Sequence, residues 1–135
     1  MKISLNWLRR YVDIPVTVEE LCDRMVMAGF EVEDIEDLSQ SMENVVAARI
    51  LRLRKHPDAD KLRVCTVDVG DPAPSTIVCG GVNLAPSQLV AVAKPGAWVK
   101  WHGEGDLVEI KKSKLRGVDS YGMICGAVEI GLADL

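Results

Sequence analysis

Val45-Val46-Ala47-Ala48-Arg49-Ile50-Leu51 is the stretch on which the fold turns. Val46, Ala48 and Ile50 alternate with Ala47, Arg49 and Leu51. A period of two residues marks a strand with one face in a core. Forward of this stretch the pattern repeats. Leu62 to Val69 alternates and ends at the turn Gly70-Asp71-Pro72; Thr76 to Cys79 is closed by Gly80-Gly81; Leu89 to Ala93 is followed by Lys94-Pro95-Gly96. Val99 to Ile110 contains a loop at His102 to Asp106, and Val118 to Gly126 is a glycine-rich final stretch. Short strands between closely spaced turns predict a small barrel or sandwich.

Backward of Val45 the period is helical. Ser4 caps a turn whose Leu5, Leu8, Tyr11 and Val12 share one face, and Pro15 stops it. Thr17 and Glu20 form a T-x-x-E capping box for a second helix with the stripe Val18, Leu21, Cys22, Met25 and Ala28, and Gly29 stands at its C′ position. Phe30 and Val32 then alternate like a strand. The acidic run from Glu31 to Glu43, with Ser39 and Ser41, reads as a boundary. The expected organisation is a helical extension over residues 1–39 and a β domain over residues 40–135.

The chain has 135 residues, 48% of them hydrophobic but only 4% aromatic, so its core is expected to be built mostly from Val, Leu, Ile and Ala. The four cysteines, at 22, 65, 79 and 125, have no CxxC spacing and lie in apolar surroundings. They read as buried reduced thiols, not as zinc ligands or disulfides. No apolar run approaches the ~20 residues that a bilayer requires, and Arg9-Arg10 interrupts the first apolar stretch, which predicts a cytoplasmic protein with no membrane partner. The net charge of −4 conceals an uneven distribution: residues 1–43 carry −6, residues 44–116 carry +5 and residues 117–135 carry −3. A phosphate backbone responds to such local charge more than to the total.

Three ordered blocks stand out. They are His56-Pro57-Asp58-Ala59-Asp60-Lys61-Leu62, Ile77-Val78-Cys79-Gly80-Gly81-Val82-Asn83, and the run Ile110-Lys111-Lys112-Ser113-Lys114-Leu115-Arg116-Gly117-Val118-Asp119-Ser120-Tyr121-Gly122-Met123-Ile124-Cys125. In this order and spacing they resemble the tRNA-binding domain of the EMAP-II type. That family occurs in stand-alone tRNA-binding proteins, appended to methionyl- and tyrosyl-tRNA ligases, and within bacterial phenylalanine–tRNA ligase beta subunits. The opening Met1-Lys2-Ile3-Ser4-Leu5-Asn6-Trp7-Leu8, with Ala28-Gly29-Phe30-Glu31-Val32-Glu33, resembles the beta-subunit branch. There are two departures from the pattern: Gly126 follows Cys125 where the family commonly has Ser, and the loop from Trp101 to Asp106 is longer and more acidic than the usual turn.

The resemblance implies a mainly β chain, a five-stranded OB-fold barrel with an α-containing N-terminal extension. It implies a fragment of a beta subunit with tRNA as partner, working in a heterotetramer of two alpha and two beta chains. It implies no catalytic residue and no metal or cofactor in this fragment, the whole enzyme using ATP and magnesium in its alpha subunit. The residues agree, since there is no Walker loop and no G-x-S-x-G.

For the RNA contact, Lys112, Lys114 and Arg116 fall on one face if a strand runs through them, and cations on one face can meet successive phosphates. The competing reading is a solvated strand edge protected by lysines. Asn83, Ser120 and Met123 match family positions at the RNA-facing rim. Arg49, Arg52, Arg54, Lys55, Lys61 and Arg63 form a second basic cluster, opposed by Asp58 and Asp60, and His56 reads as a turn residue. Gly117, Gly122 and Gly126 are expected at unusual backbone angles. Trp98, Trp101 and Tyr121 are the candidates for stacking on bases, which predicts recognition by shape and phosphate more than by sequence. An alternative is a structural OB domain that touches RNA little.

Overall fold

The computed structural model describes residues 1–39 and 42–132. The boundary expected at 39/40 adjoins residues outside the described set. The chain divides into two compact units, Met1–Asp37 and Leu38–Leu135.

The first unit holds two helices, α1 (Leu5–Leu8) and α2 (Val18–Met27). Ser4 caps α1 by accepting from the Trp7 N–H. Thr17 caps α2 by accepting from the Glu20 N–H at 3.2 Å, but the Glu20 carboxylate turns to Arg24 one turn on, so the capping box is half formed. The helix ends in a Schellman pair, Phe30 N–H to Met25 O and Gly29 N–H to Val26 O. No strand forms at Phe30 and Val32, a correction to the expected extended piece: alternation needs a neighbouring strand to bond to, and none pairs with this segment among the described residues. Neither helix buries a residue; Leu8 and Leu21 are half-buried and Met25 is exposed.

The strands of the second unit all pair antiparallel, with short 3-10 helices at Trp101–Gly103 and Ala127–Ile130. A five-stranded sheet runs in the order β3-β2-β1-β4-β9, with β1 Val45–His56, β2 Ala59–Asp68, β3 Ser75–Cys79, β4 Leu89–Ala93 and β9 Met123–Cys125. Two hairpins stand outside it, β5 (Trp98–Lys100) with β6 (Leu107–Glu109), and β7 (Ser113–Leu115) with β8 (Val118–Ser120). The first and last strands of the sheet, β3 and β9, touch each other, so the sheet curls back on itself. No ladder joins them. Instead the Tyr121 N–H bonds to Thr76 O at 2.9 Å, and the Val78 N–H donates to Ser120 Oγ at 3.0 Å. Gly122 makes the close approach possible: a Cβ there would lie 2.6 Å from Ala93 O. Its φ of 137° and the 87° of Gly117 are unusual angles as expected, whereas Gly126 sits in ordinary extended backbone.

Two apolar clusters fill the unit. Ala48, Cys65, Val67, Val69, Ile77 and Val92 form one, and Ala93, Ala97, Val99, Ile110 and Ile130 the other. Among the described residues no leucine is fully buried; Leu53 and Leu84 pack half-buried against the first cluster and Leu132 against the second. The core is set by strands, and β-branched side chains pack best on a pleated face. Of the cysteines only Cys65 is fully buried; Cys22, Cys79 and Cys125 are half-buried free thiols. Burial pushes the Cys65 and Cys125 thiols up to about 11.

Candidate nucleic-acid interface

The cations of β1 owe their position to an irregularity. Ala48 and Ile50 point into the core, so strict alternation would send Arg52 and Arg54 inward as well. The register with β2 shifts between Ile50 and Arg52, which makes Leu51 an extra residue on β1. This bulge reverses the phase: Leu53 turns inward and Arg52 and Arg54 become exposed. Arg49 is exposed from the earlier phase; Asp68, directly across from it, turns its carboxylate to the Gly70 N–H. A second irregularity follows between Lys55 and His56, where the pairing jumps from Arg63 to Ala59 and leaves Asp60, Lys61 and Leu62 outside the register. Among the described residues, Arg49, Arg52, Arg54, Lys55, Lys61 and Arg63 have no ion-pair partner.

The β7–β8 hairpin is different. Lys114 stands directly across from Asp119, and Lys112 lies one step before β7 on the same face. The Lys112 ammonium is 3.5 Å from Asp119 and 4.8 Å from the centre of the Tyr121 ring. Its pKa is held above the usual lysine value by Tyr121 first and Asp119 second. Arg116 does not continue that face, a correction to the expected row of three. It leaves the strand at φ 47° in the two-residue turn and donates from Nη1 to Asp58 O at 3.0 Å.

The rim residues scatter. Asn83 is exposed in the loop after β3. Ser120 is 1% exposed; its hydroxyl accepts from Val78 and donates to Gly122 O at 3.2 Å. The side chain is buried and joins β8 to β3. Met123 packs, half-buried, against the second core cluster. Of the aromatics, Trp98 and Trp101 are about half exposed, with Trp101 edge-on to His102, and Tyr121 lies under Lys112.

His56 is more than a turn residue. It is buried, its Nδ1 accepts from the Asp58 N–H at 3.0 Å, and its Nε2 lies 2.9 Å from Leu115 O. An acceptor at Nδ1 fixes the neutral tautomer with the proton on Nε2, which therefore donates to Leu115. Sequence reasoning missed this bond across 59 positions, because nothing local in the sequence signals it. The bulge did leave a signal, the slip of the apolar phase from Ile50 to Leu51 and Leu53.

Comparison with known proteins places this geometry. Residues 45–134 match the family model described as "Putative tRNA binding domain". Curated relatives include the phenylalanine–tRNA ligase beta subunits of Thermosynechococcus vestitus, 52% identical over 98% of this chain, and of Latilactobacillus sakei, 45% identical over 99%. The chain spans 16% of the length of each, about a sixth. The crystallised C-terminal domain of Plasmodium vivax p43 superimposes with a TM-score of 0.47 and 23% identity, covering 60% of this chain and 44% of its own, too loosely to refine the fold.

Proposed function

Because the chain belongs to this tRNA-binding domain family, we propose that it is the tRNA-binding and architectural module of a phenylalanine–tRNA ligase beta subunit. In this reading the whole enzyme attaches phenylalanine to its tRNA. The catalytic work, with ATP and magnesium, belongs to an alpha subunit that pairs with the beta chain as two alpha and two beta. The relatives at about half identity over nearly the whole chain support the assignment to that ligase. The enzyme works in the cytoplasm; among the described residues no helix is long and apolar enough to cross a membrane.

The observation that carries the RNA-binding part is the unpaired basic surface of β1 and β2. Arg49, Arg52, Arg54, Lys55 and Lys61 are exposed and free of carboxylate partners among the described residues, although acids outnumber bases in the chain. Leaving cations uncompensated at close spacing costs repulsion, which a polyanion relieves by releasing its counterions. The β7–β8 cations Lys112, Lys114 and Arg116, with the exposed Asn83 and the half-buried Met123, supply further contacts.

Titration of the 135-residue chain with tRNA at about 50 and 200 mM salt tests the reading. We expect affinity to fall with salt by about 0.7–0.9 log units per log unit for each phosphate engaged. tRNA should outcompete duplex DNA of equal phosphate content. Absence of binding at the lower salt, or equal competition by duplex DNA, would leave a purely structural domain of the heterotetramer as the better account.

A further inference from the structure

Two features of the β7–β8 hairpin have no explanation in the hairpin itself. The first is the residue at its turn. Leu115 pairs with Val118, so Arg116 and Gly117 form a two-residue loop, and both have positive φ, 47° and 87°. This is the geometry of a type I′ turn, whose first position favours Asn, Asp or Gly. An arginine held there in left-handed backbone points to a role for its side chain. The second feature is the pair of bonds that leave the turn. The Leu115 carbonyl accepts from His56 and the Arg116 guanidinium donates to the Asp58 carbonyl. Both end on the tip of the β1–β2 hairpin, 58 and 59 positions away in sequence.

These bonds act as a clamp. His56 is buried and locked at both ring nitrogens, so the tip and the turn keep one relative placement. Cations from two hairpins are gathered as a result: Arg54 and Lys55 lie within two residues of His56, Lys114 adjoins Leu115, and Arg116 uses one of its five donors on Asp58. The acids nearby are Asp58, Asp60 and Asp119; Asp119 is engaged with Lys112. Neither Arg54, Lys55, Lys114 nor Arg116 has an ion-pair partner among the described residues.

We propose that the His56–Arg116 clamp joins the tips of the β1–β2 and β7–β8 hairpins into one cationic ridge, and that Arg54, Lys55, Lys114 and the free donors of Arg116 seat consecutive phosphates of an RNA backbone. The proposal rests on the tRNA-binding reading and adds the place and the means: His56 is a positioning residue, and Arg116 is both clamp and contact.

Arg116→Asn removes the guanidinium, and with it both clamp bond and contact, while keeping the turn, because Asn-Gly is the preferred sequence there. The 135-residue variant should melt at or above the wild-type temperature. Its tRNA affinity at about 50 mM salt should nevertheless fall about three- to tenfold, and its salt slope should flatten by about 0.7–0.9, the share of one phosphate. His56→Ala removes no charge, yet it should flatten the slope too, as Arg116 and Lys114 lose their placement. Arg9→Ala with Arg10→Ala should change neither affinity nor slope. If wild type binds tRNA and Arg116→Asn leaves affinity and slope unchanged, the ridge is refuted while the general reading stands. Equal weakening of duplex DNA binding by Arg116→Asn would refute the assignment to RNA and leave a general polyanion surface. If wild type binds no tRNA, reading and ridge fall together.

Discussion

Helix α2 and strand β1 both carry an apolar stripe of regular period, but only the strand buries one. In α2 every residue retains solvent contact, whereas β1 sinks Ala48 and Ile50 into the core between β2 and β4. Charge divides the same two regions. Arg24 pairs with Glu20 and Lys2 with Glu36 in the first unit, while Arg49, Arg52 and Arg54 of β1 stand unpaired among the described residues. The difference teaches that period and burial are separate properties. A strand acquires its neighbours through the same hydrogen bonds that make it a strand. A ten-residue helix satisfies its backbone internally, and its stripe remains open until another surface meets it.

Core truncation should give the widest separation between the two regions. Ile77→Ala, at a fully buried site, should cost about 2–5 kcal/mol in urea unfolding. Leu21→Ala, half-buried in α2, should cost less than about 1 kcal/mol. Equal costs would mean that the first unit is packed as tightly as the sheet. Next in size is Ser120→Ala, which strands the Val78 N–H and should cost about 1–3 kcal/mol. Since that hydroxyl is buried, the salt slope of tRNA binding should not move; a flattened slope would restore Ser120 to the interface. Thr17→Ala removes the α2 cap and should lower helical circular dichroism, at about 1 kcal/mol, without shifting the unfolding of the sheet.

The thiols give the finest comparison. At pH 8 a neutral alkylating reagent should modify Cys22 of α2 well before Cys65, whose thiol burial pushes up to about 11. Between about 9, the usual value for a free thiol here, and 11 the folded chain keeps protons at Cys65 and Cys125 that the unfolded chain has released. Stability should therefore fall as pH rises through that window. A flat profile from pH 9 to 11 in the wild type would show these thiols to be solvated.

Much of the sheet was legible. The alternation from Val45, the turn at Gly70-Asp71-Pro72 and the strand at Leu89 to Ala93 all correspond to observed elements, because period and turn chemistry act locally. The extended piece at Phe30 and Val32 was misread because a strand depends on a partner that a single segment cannot reveal. The site was legible as composition more than as geometry. The basic residues of the middle segment could be counted, but a one-residue bulge decides that Arg52 and Arg54 face solvent. Asp119 decides that Lys112 is partly neutralised, and the reach of Arg116 to Asp58 takes it off the Lys112–Lys114 face. Each joins one segment of chain to another, and spacing along one strand does not encode it. The buried Ser120 is the clearest case: its type suits both an RNA rim and an internal hydrogen bond, and only burial separates the two.

Engagement of tRNA phosphates by the outer face of β1 is read from the slope of log affinity against log salt. Replacing Arg49, Arg52 and Arg54 together by Ala should flatten the wild-type slope by about two units, at about 0.7–0.9 for each phosphate released. Replacing Arg9 and Arg10 in the acidic first unit should leave it unchanged. An unchanged slope in the triple variant, with wild-type binding intact, would mean that phosphates do not lie on β1.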